Sequence, residues 1–177
     1  MYKEKFSYTQ KCISKKNGKI RKIYIPNENL KAFLRTLLKS LENIYQNNYI
    51  HDCDHAFLKG KNCVTNASSH IKNRFILSLD IENFFEGLPK KLLDSYIPNH
   101  ILDLVLINKK IVQGYPTSHY LANIAMIEID NSIMKVIENK DLFIAVDNEF
   151  FNEAVKDLIS ILRIDKTQPV DTNAKAE

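Results

Sequence analysis

The chain has 177 residues, 45% hydrophobic and 26% charged, with no tryptophan, which excludes collagen-like, mucin-like and wholly disordered classes. No apolar run approaches the roughly 18 residues a membrane helix needs; the best stretch, Ile101–Ile107, is interrupted by Asp103. The net charge of +4 divides unevenly, with 15 Lys/Arg against 5 Asp/Glu in residues 1–75 and 10 against 16 in residues 76–177.

A basic first half beside an acidic second half suits one lobe for a polyanion and another for cations, with solubility alone as the plain alternative. The length fits one domain or two small lobes. Met1-Tyr2-Lys3-Glu4-Lys5 has no apolar core behind its charges, so no signal peptide is expected. Three cysteines (Cys12, Cys53, Cys63) form no disulfide framework, which suits a reducing, cytoplasmic setting.

In chain order, Asn17-Gly18 inside Lys15-Lys16-Asn17-Gly18-Lys19 is a strong hairpin signal. Lys11–Ser14 and the alternating Ile20–Ile25 flank it, and Pro26 ends the second strand, which together predict a basic hairpin. From Asn29, apolar residues at Leu30, Phe33, Leu34, Leu37, Leu38, Leu41, Ile44 and Tyr45 predict one amphipathic helix. Lys31, Arg35 and Lys39 fall at i, i+4 and i+8 as a basic stripe on its polar face. Residues 50–63 read as a loop and Val64–His70 as a short helix. Phe75–Ile81 reads as an apolar strand carrying Asp80, and residues 89–107 as mostly helical. Lys109–Gly114 reads as a basic turn and Ser118–Ile137 as a second long helix. Leu142–Asp147 reads as another apolar strand ending in a carboxylate. Phe150–Leu162 is expected as a helix, Arg163-Ile164 as a short strand, and the segment from Pro169 as a polar tail.

Asp80 and Asp147 each close a short apolar strand. On adjacent strands the two carboxylates would form a divalent-cation site, and magnesium prefers a few carboxylates with water and phosphate oxygens. Two such ions can clamp both oxygens of a phosphoryl transfer. The plain alternative is that each Asp caps the element after its strand. His51, Asp52, Cys53, Asp54, His55 and Cys63 cluster as metal ligands would, but their spacing matches no zinc pattern and reads as a polar loop. His70 reads as a structural histidine at a helix end. Lys90-Lys91 and Lys109-Lys110 suit either nucleic acid or solvated turns.

The stretch from Arg21 to Asp147 resembles reverse transcriptases, above all the bacterial retron and group II intron kind. Arg21-Lys22-Ile23-Tyr24-Ile25-Pro26 before Leu30-Lys31 looks like the family's opening fingers motif. His55-Ala56-Phe57-Leu58-Lys59-Gly60-Lys61 with Asn66-Ala67-Ser68-Ser69-His70 is similar to the second. Leu79-Asp80-Ile81-Glu82-Asn83-Phe84-Phe85 resembles the first catalytic motif. Val112-Gln113-Gly114-Tyr115-Pro116-Thr117-Ser118, running on to Leu121-Ala122-Asn123 and Asp130, resembles the QG-x-PTS motif and its helix. The ordered set covers roughly residues 20–150 and is specific, although each motif alone is weak.

The resemblance implies an α+β fold, a right-hand-like fingers and palm with a small antiparallel sheet backed by helices. Fingers are expected over 1–75, palm over 76–168 and a tail over 169–177, with the thumb absent. Asp80 and Asp147, with the Ile81 carbonyl, would hold two magnesium ions, or manganese. Arg21 would lie over the triphosphate, and Phe84 or preferably Phe85 under the sugar. Gln113 and Gly114 would line the nascent base-pair pocket, and Lys166 would reach nucleotide phosphates. Lys19, Lys31, Arg35 and Lys39 would contact the template. The implied activity is RNA-directed DNA synthesis on an RNA template, consuming dNTP and forming an RNA–DNA hybrid. A structured non-coding RNA or a protein is a further expected partner, a membrane is not, and phage defence is one implied role.

The chain also departs from the family pattern. Ala145-Val146-Asp147-Asn148 stands where the family carries an aromatic, any residue and two aspartates, so Asn148 brings an amide to the catalytic position of the second carboxylate. Only 32 residues separate Asp80 from Gln113, and 17 separate Asn148 from Lys166. Asn148 and the expected absence of a thumb favour a rival reading, a catalytically impaired remnant that binds nucleic acid or a partner, while the intact Asp80, Gln113-Gly114 and Arg21 set favours the enzyme.

Overall fold

The computed structural model describes residues 6–14, 18–49, 51, 53–71, 81 and 83–139. Asp80, Asp147, Asn148 and Lys166 lie outside them, as do the strands expected at 75–80 and 142–147 and the elements expected after 150. The described elements run β1 (Tyr8–Ser14), β2 (Ile20–Pro26), α1 (Glu28–Thr36), α2 (Leu38–Asn48), α3 (Cys63–Ser68), α4 (Phe84–Gly87), α5 (Asn99–Val105) and α6 (Ser118–Asn139). The chain divides into two compact units, residues 1–50 with 83–125, and residues 51–82 with 126–177. No helix among the described residues is long and apolar enough to cross a membrane.

In the first unit the expected hairpin forms. β1 and β2 are antiparallel, with Ser14 opposite Ile20 and Tyr8 opposite Pro26. Gly18 adopts φ +77, a left-handed conformation that glycine reaches without a Cβ penalty. Every residue of β1 is exposed. A two-stranded ribbon is marginal by itself, so contacts at its base must hold it. The Asn27 N–H donates to Ser7 O at 2.8 Å. The Tyr8 and Tyr24 rings meet edge to face at 5.5 Å, and Phe6 meets Phe33 at 5.1 Å.

The single helix expected from Asn29 is two. Asn27 caps α1, its side chain accepting from the Leu30 N–H at 2.9 Å. At the far end the Thr36 hydroxyl donates to Phe33 O at 2.7 Å, and the Leu37 N–H turns to Leu34 O at 3.2 Å. That tightening ends α1, and α2 begins at Leu38. Leu37 keeps right-handed dihedrals (φ −80, ψ −17), so the apolar seam of Leu30, Leu34, Leu41 and Tyr45 stays buried through the break. Periodicity reports the seam and not the break.

Residues 89–107, expected as mostly helical, are helical only in two short, separate pieces. These are a 3-10 turn at Lys90–Leu92 that starts after Pro89 and the short α5 that starts after Pro98. Proline lacks the N–H an interior helical position needs and disfavours helical dihedrals before it. The Lys90 ammonium bridges the two pieces, donating to Asp94 Oδ1 at 2.5 Å and to Asn99 Oδ1. Beneath them Leu88, Leu93, Ile97, Leu102 and Val105 are buried. The basic turn expected at Lys109–Gly114 lies earlier: Ile107 pairs with Lys110 across Asn108 and Lys109, both at positive φ, as a type I′ turn requires, and Ile111 and Val112 behind it are buried.

The long helix α6 is present as expected. Ser118 Oγ donates to Val112 O at 2.5 Å, and the Leu121 N–H donates to Thr117 O at 3.0 Å, so the Val112–Ser118 segment is tied to the helix start. Leu121, Ala122, Ile124 and Ala125 bury its first two turns.

The second unit holds the loop at 51–62, α3 and the later turns of α6. Asn62 and Thr65 form a capping box at the start of α3, and His55 Nδ1 lies 2.8 Å from Thr65 Oγ1. His51 Nε2 lies 2.9 Å from Asn131 Oδ1 on α6, where Ile127 and Ile129 are buried.

Candidate functional site

The site is best developed where β2 meets the Gln113–Gly114 turn. Strand alternation puts Arg21, Ile23 and Ile25 on one face of the ribbon and Lys22, Tyr24 and Pro26 on the other. Arg21 is exposed, opposite Ile13. The Tyr24 N–H points away from β1 and donates to Gln113 O at 2.8 Å. Gly114 follows at φ +109, and a Cβ there would lie 2.3 Å from Tyr24 O and 2.9 Å from Ile23 Cγ2. The space that a side chain would take at Gly114 is therefore filled by the backbone of β2. Tyr115 is buried beside it, with its ring 6.5 Å from that of Tyr8. Burial, and secondarily Tyr8, pushes the Tyr115 hydroxyl up to about 12.

The basic stripe sits on α1 and α2 but is partly neutralised. Lys31 Nζ lies 3.4 Å from Glu28 Oε1, and Lys39 Nζ lies 2.9 Å from Glu42 Oε2. Exposed pairs of this kind are worth about 0–1 kcal/mol, so both lysines can exchange a carboxylate for a phosphate. Arg35 and Lys19 are exposed. Glu42 and Lys39 also face Tyr120 on α6. Burial first and then Glu42 raise that hydroxyl, and Lys39 opposes them. Phe84 and Phe85 are half-buried and pack edge to face against each other at 5.5 Å, after Asn83 at φ +51.

Ile81 is half-buried, and its expected partners in metal binding, Asp80 and Asp147, lie outside the described residues. Among the described residues no group of three or more His, Cys, Asp or Glu could hold a metal ion. In the 51–63 segment, His51 and His55 are engaged with Asn131 and Thr65, and Cys53 and Cys63 are exposed and not joined in a disulfide.

Sequence reasoning noted Asp130 only as part of a motif helix. Burial, reinforced by Asp54, pushes its carboxyl up to about 7 from 3.8. The folded state thus binds this proton more tightly than the unfolded chain. Stability from this group is present below about pH 4 and lost as pH rises to about 7. Asp130→Asn is expected to raise the midpoint of thermal unfolding at pH 8, with the gain shrinking toward pH 4. A shift of equal size at both pH values would sink the assignment.

Comparison with known proteins places these residues among relatives. Residues 13–150 match the family model described as reverse transcriptase (RNA-dependent DNA polymerase). The Retron Se72 reverse transcriptase of Salmonella heidelberg is 29% identical over 148 residues, covering 77% of this chain and 38% of that protein. The Retron Ec83 reverse transcriptase of Escherichia coli is 28% identical over 148 residues, covering 72% and 46%. The Retron Ec86 reverse transcriptase of Escherichia coli is 29% identical over 144 residues, covering 75% and 44%. The matched part thus spans less than half the length of these three relatives.

Proposed function

The chain belongs to the reverse transcriptase (RNA-dependent DNA polymerase) family, and from that membership we propose that it supplies the fingers and palm of a retron-type RNA-directed DNA polymerase. The observation that carries the reading is the junction of β2, which bears Arg21, with the Gln113–Gly114 turn through the 2.8 Å Tyr24–Gln113 hydrogen bond. Two motif segments distant in sequence meet there, as a nucleotide site built from fingers and palm requires.

In this reading Asp80 and Asp147, with the Ile81 carbonyl, hold two magnesium or manganese ions, which when bound lower the pKa of a primer 3′-hydroxyl and neutralise triphosphate charge. Arg21 and Lys166 bind the phosphates of the incoming dNTP. Phe85, with Phe84 against it, abuts the sugar and excludes a 2′-hydroxyl. Gln113 and Gly114 border the nascent base pair. Lys19, Lys31, Arg35 and Lys39 hold the template backbone by attraction that ignores sequence and weakens steeply with salt. A structured non-coding RNA or a protein is the proposed further partner, the cytoplasm the proposed setting and phage defence the proposed role.

Primer extension on an RNA template with magnesium or manganese tests the reading. Asp80→Ala is expected to lower extension at least about a hundredfold, since removing one member of a catalytic unit disables the whole. Equal extension by both proteins would overturn the assignment of Asp80. Undetectable extension by the unaltered chain, with RNA binding intact, would overturn the polymerase reading.

A further inference from the structure

We propose that Phe57 is a base-stacking platform for single-stranded nucleic acid, with Lys59 and Lys61 gripping the adjoining phosphates; this rests on the reading that the chain handles an RNA template. Phe57 has a left-handed backbone (φ 59) and leaves 57% of its surface exposed. Both features oppose the ordinary behaviour of a phenyl side chain, which gains by burial and avoids positive φ. A conformation that holds such a ring in solvent persists only where the surroundings enforce it.

The surroundings do enforce it. Asp54 Oδ1 accepts from the Ala56 N–H at 2.8 Å, which closes a turn just before the ring. The Lys61 N–H donates to Leu58 O at 3.2 Å, with Gly60 at φ +82, which closes a second turn just after it. Phe57 is itself the second residue of the turn at Ala56–Phe57, directly ahead of the turn at Lys59–Gly60. Its neighbour Leu58 is half-buried, so the inward and outward positions are divided between adjacent residues. His55 and His51 secure the same segment to Thr65 and Asn131. The ring is therefore presented on an ordered loop rather than on a frayed one.

Charge selects the occupant. Lys59 is exposed and Lys61 half-buried, two and four residues from the ring, and both carboxylate neighbours precede it at Asp52 and Asp54. An exposed aromatic ring followed two and four residues later by lysines suits a strand of unpaired bases, which would stack on the ring while their phosphates pair with the ammonium groups. A double helix offers no free base face, so the platform discriminates for single strands.

The sequence has no tryptophan, so Phe57→Trp introduces the chain's one indole as a fluorescent reporter at the platform itself. The probes are a short oligoadenylate RNA and an abasic phosphodiester strand of equal length, titrated against the full chain. Stacking predicts that Phe57→Ala weakens oligoadenylate binding about tenfold, leaves abasic-strand binding unchanged, and that Phe57→Tyr restores the loss. The indole introduced by Phe57→Trp is expected to be quenched by oligoadenylate and not by the abasic strand. Lys59→Gln is expected to reduce the salt dependence by about 0.7 in slope, one phosphate contact on a single strand. Equal oligoadenylate affinity for the unaltered chain and Phe57→Ala, or unquenched indole at saturation, overturns the platform while leaving the polymerase reading standing. Absence of RNA binding by the unaltered chain even at low salt overturns both.

Discussion

Gly114→Ala is expected to produce the largest loss of stability of any glycine substitution among the described residues. The residue sits at φ +109, where an alanine is strained by about 1–3 kcal/mol. The added Cβ would also lie 2.3 Å from Tyr24 O, a backbone atom of β2 and not the end of a flexible side chain. Relief requires β2 to move away, which stretches the Tyr24–Gln113 hydrogen bond and shifts the strand that bears Arg21. Gly18→Ala is the matched control, because Gly18 has φ +77 but nothing within 4 Å of its Cβ position. Each kcal/mol lowers the unfolding midpoint by roughly 2–4 °C at this chain length. Gly114→Ala should therefore fall by about 5–10 °C, clearly more than Gly18→Ala. Equal midpoints for the two variants would show that the contact with β2 carries no weight.

The second large effect is expected at Asn148, in the proposed metal site. An amide oxygen there contributes no charge, whereas a carboxylate adds a full negative charge beside a divalent cation. Asn148→Asp is expected to tighten magnesium about tenfold, or roughly 1.4 kcal/mol, and to raise primer extension at limiting magnesium. The gain should vanish in an Asp80→Ala background, where the site has lost a ligand. An Asn148→Asp protein whose magnesium titration and extension match the unaltered chain would exclude position 148 from the site.

Much of the local structure is legible in the sequence. Asn17-Gly18 between alternating flanks announced the hairpin, and the three-and-four spacing from Leu30 to Tyr45 announced a buried helical seam. The ordered motifs from Arg21 to Asp147 announced the family, which the match over residues 13–150 bears out. The errors were also local in origin. The break at Leu37 depends on the Thr36 hydroxyl and a shift to i−3 hydrogen bonding, which leave the apolar phase unchanged. The stretch 89–107 has the apolar content of helices, but it forms a 3-10 turn after Pro89 and the short α5 after Pro98.

What the sequence determined by itself is therefore the hairpin, the buried seam from Leu30 to Tyr45, the long helix from Ser118 and the order of the motifs, because each follows from side chains within a few residues of one another. The tertiary structure alone decided which atoms meet across long separations. It set the Tyr24 carbonyl against Gly114, Asp54 near Asp130, and the Phe57 ring largely in solvent on a turn. These depend on how remote backbone segments dock and how much water they exclude. A periodic pattern records which face is apolar and carries no record of the surface that will come to cover it.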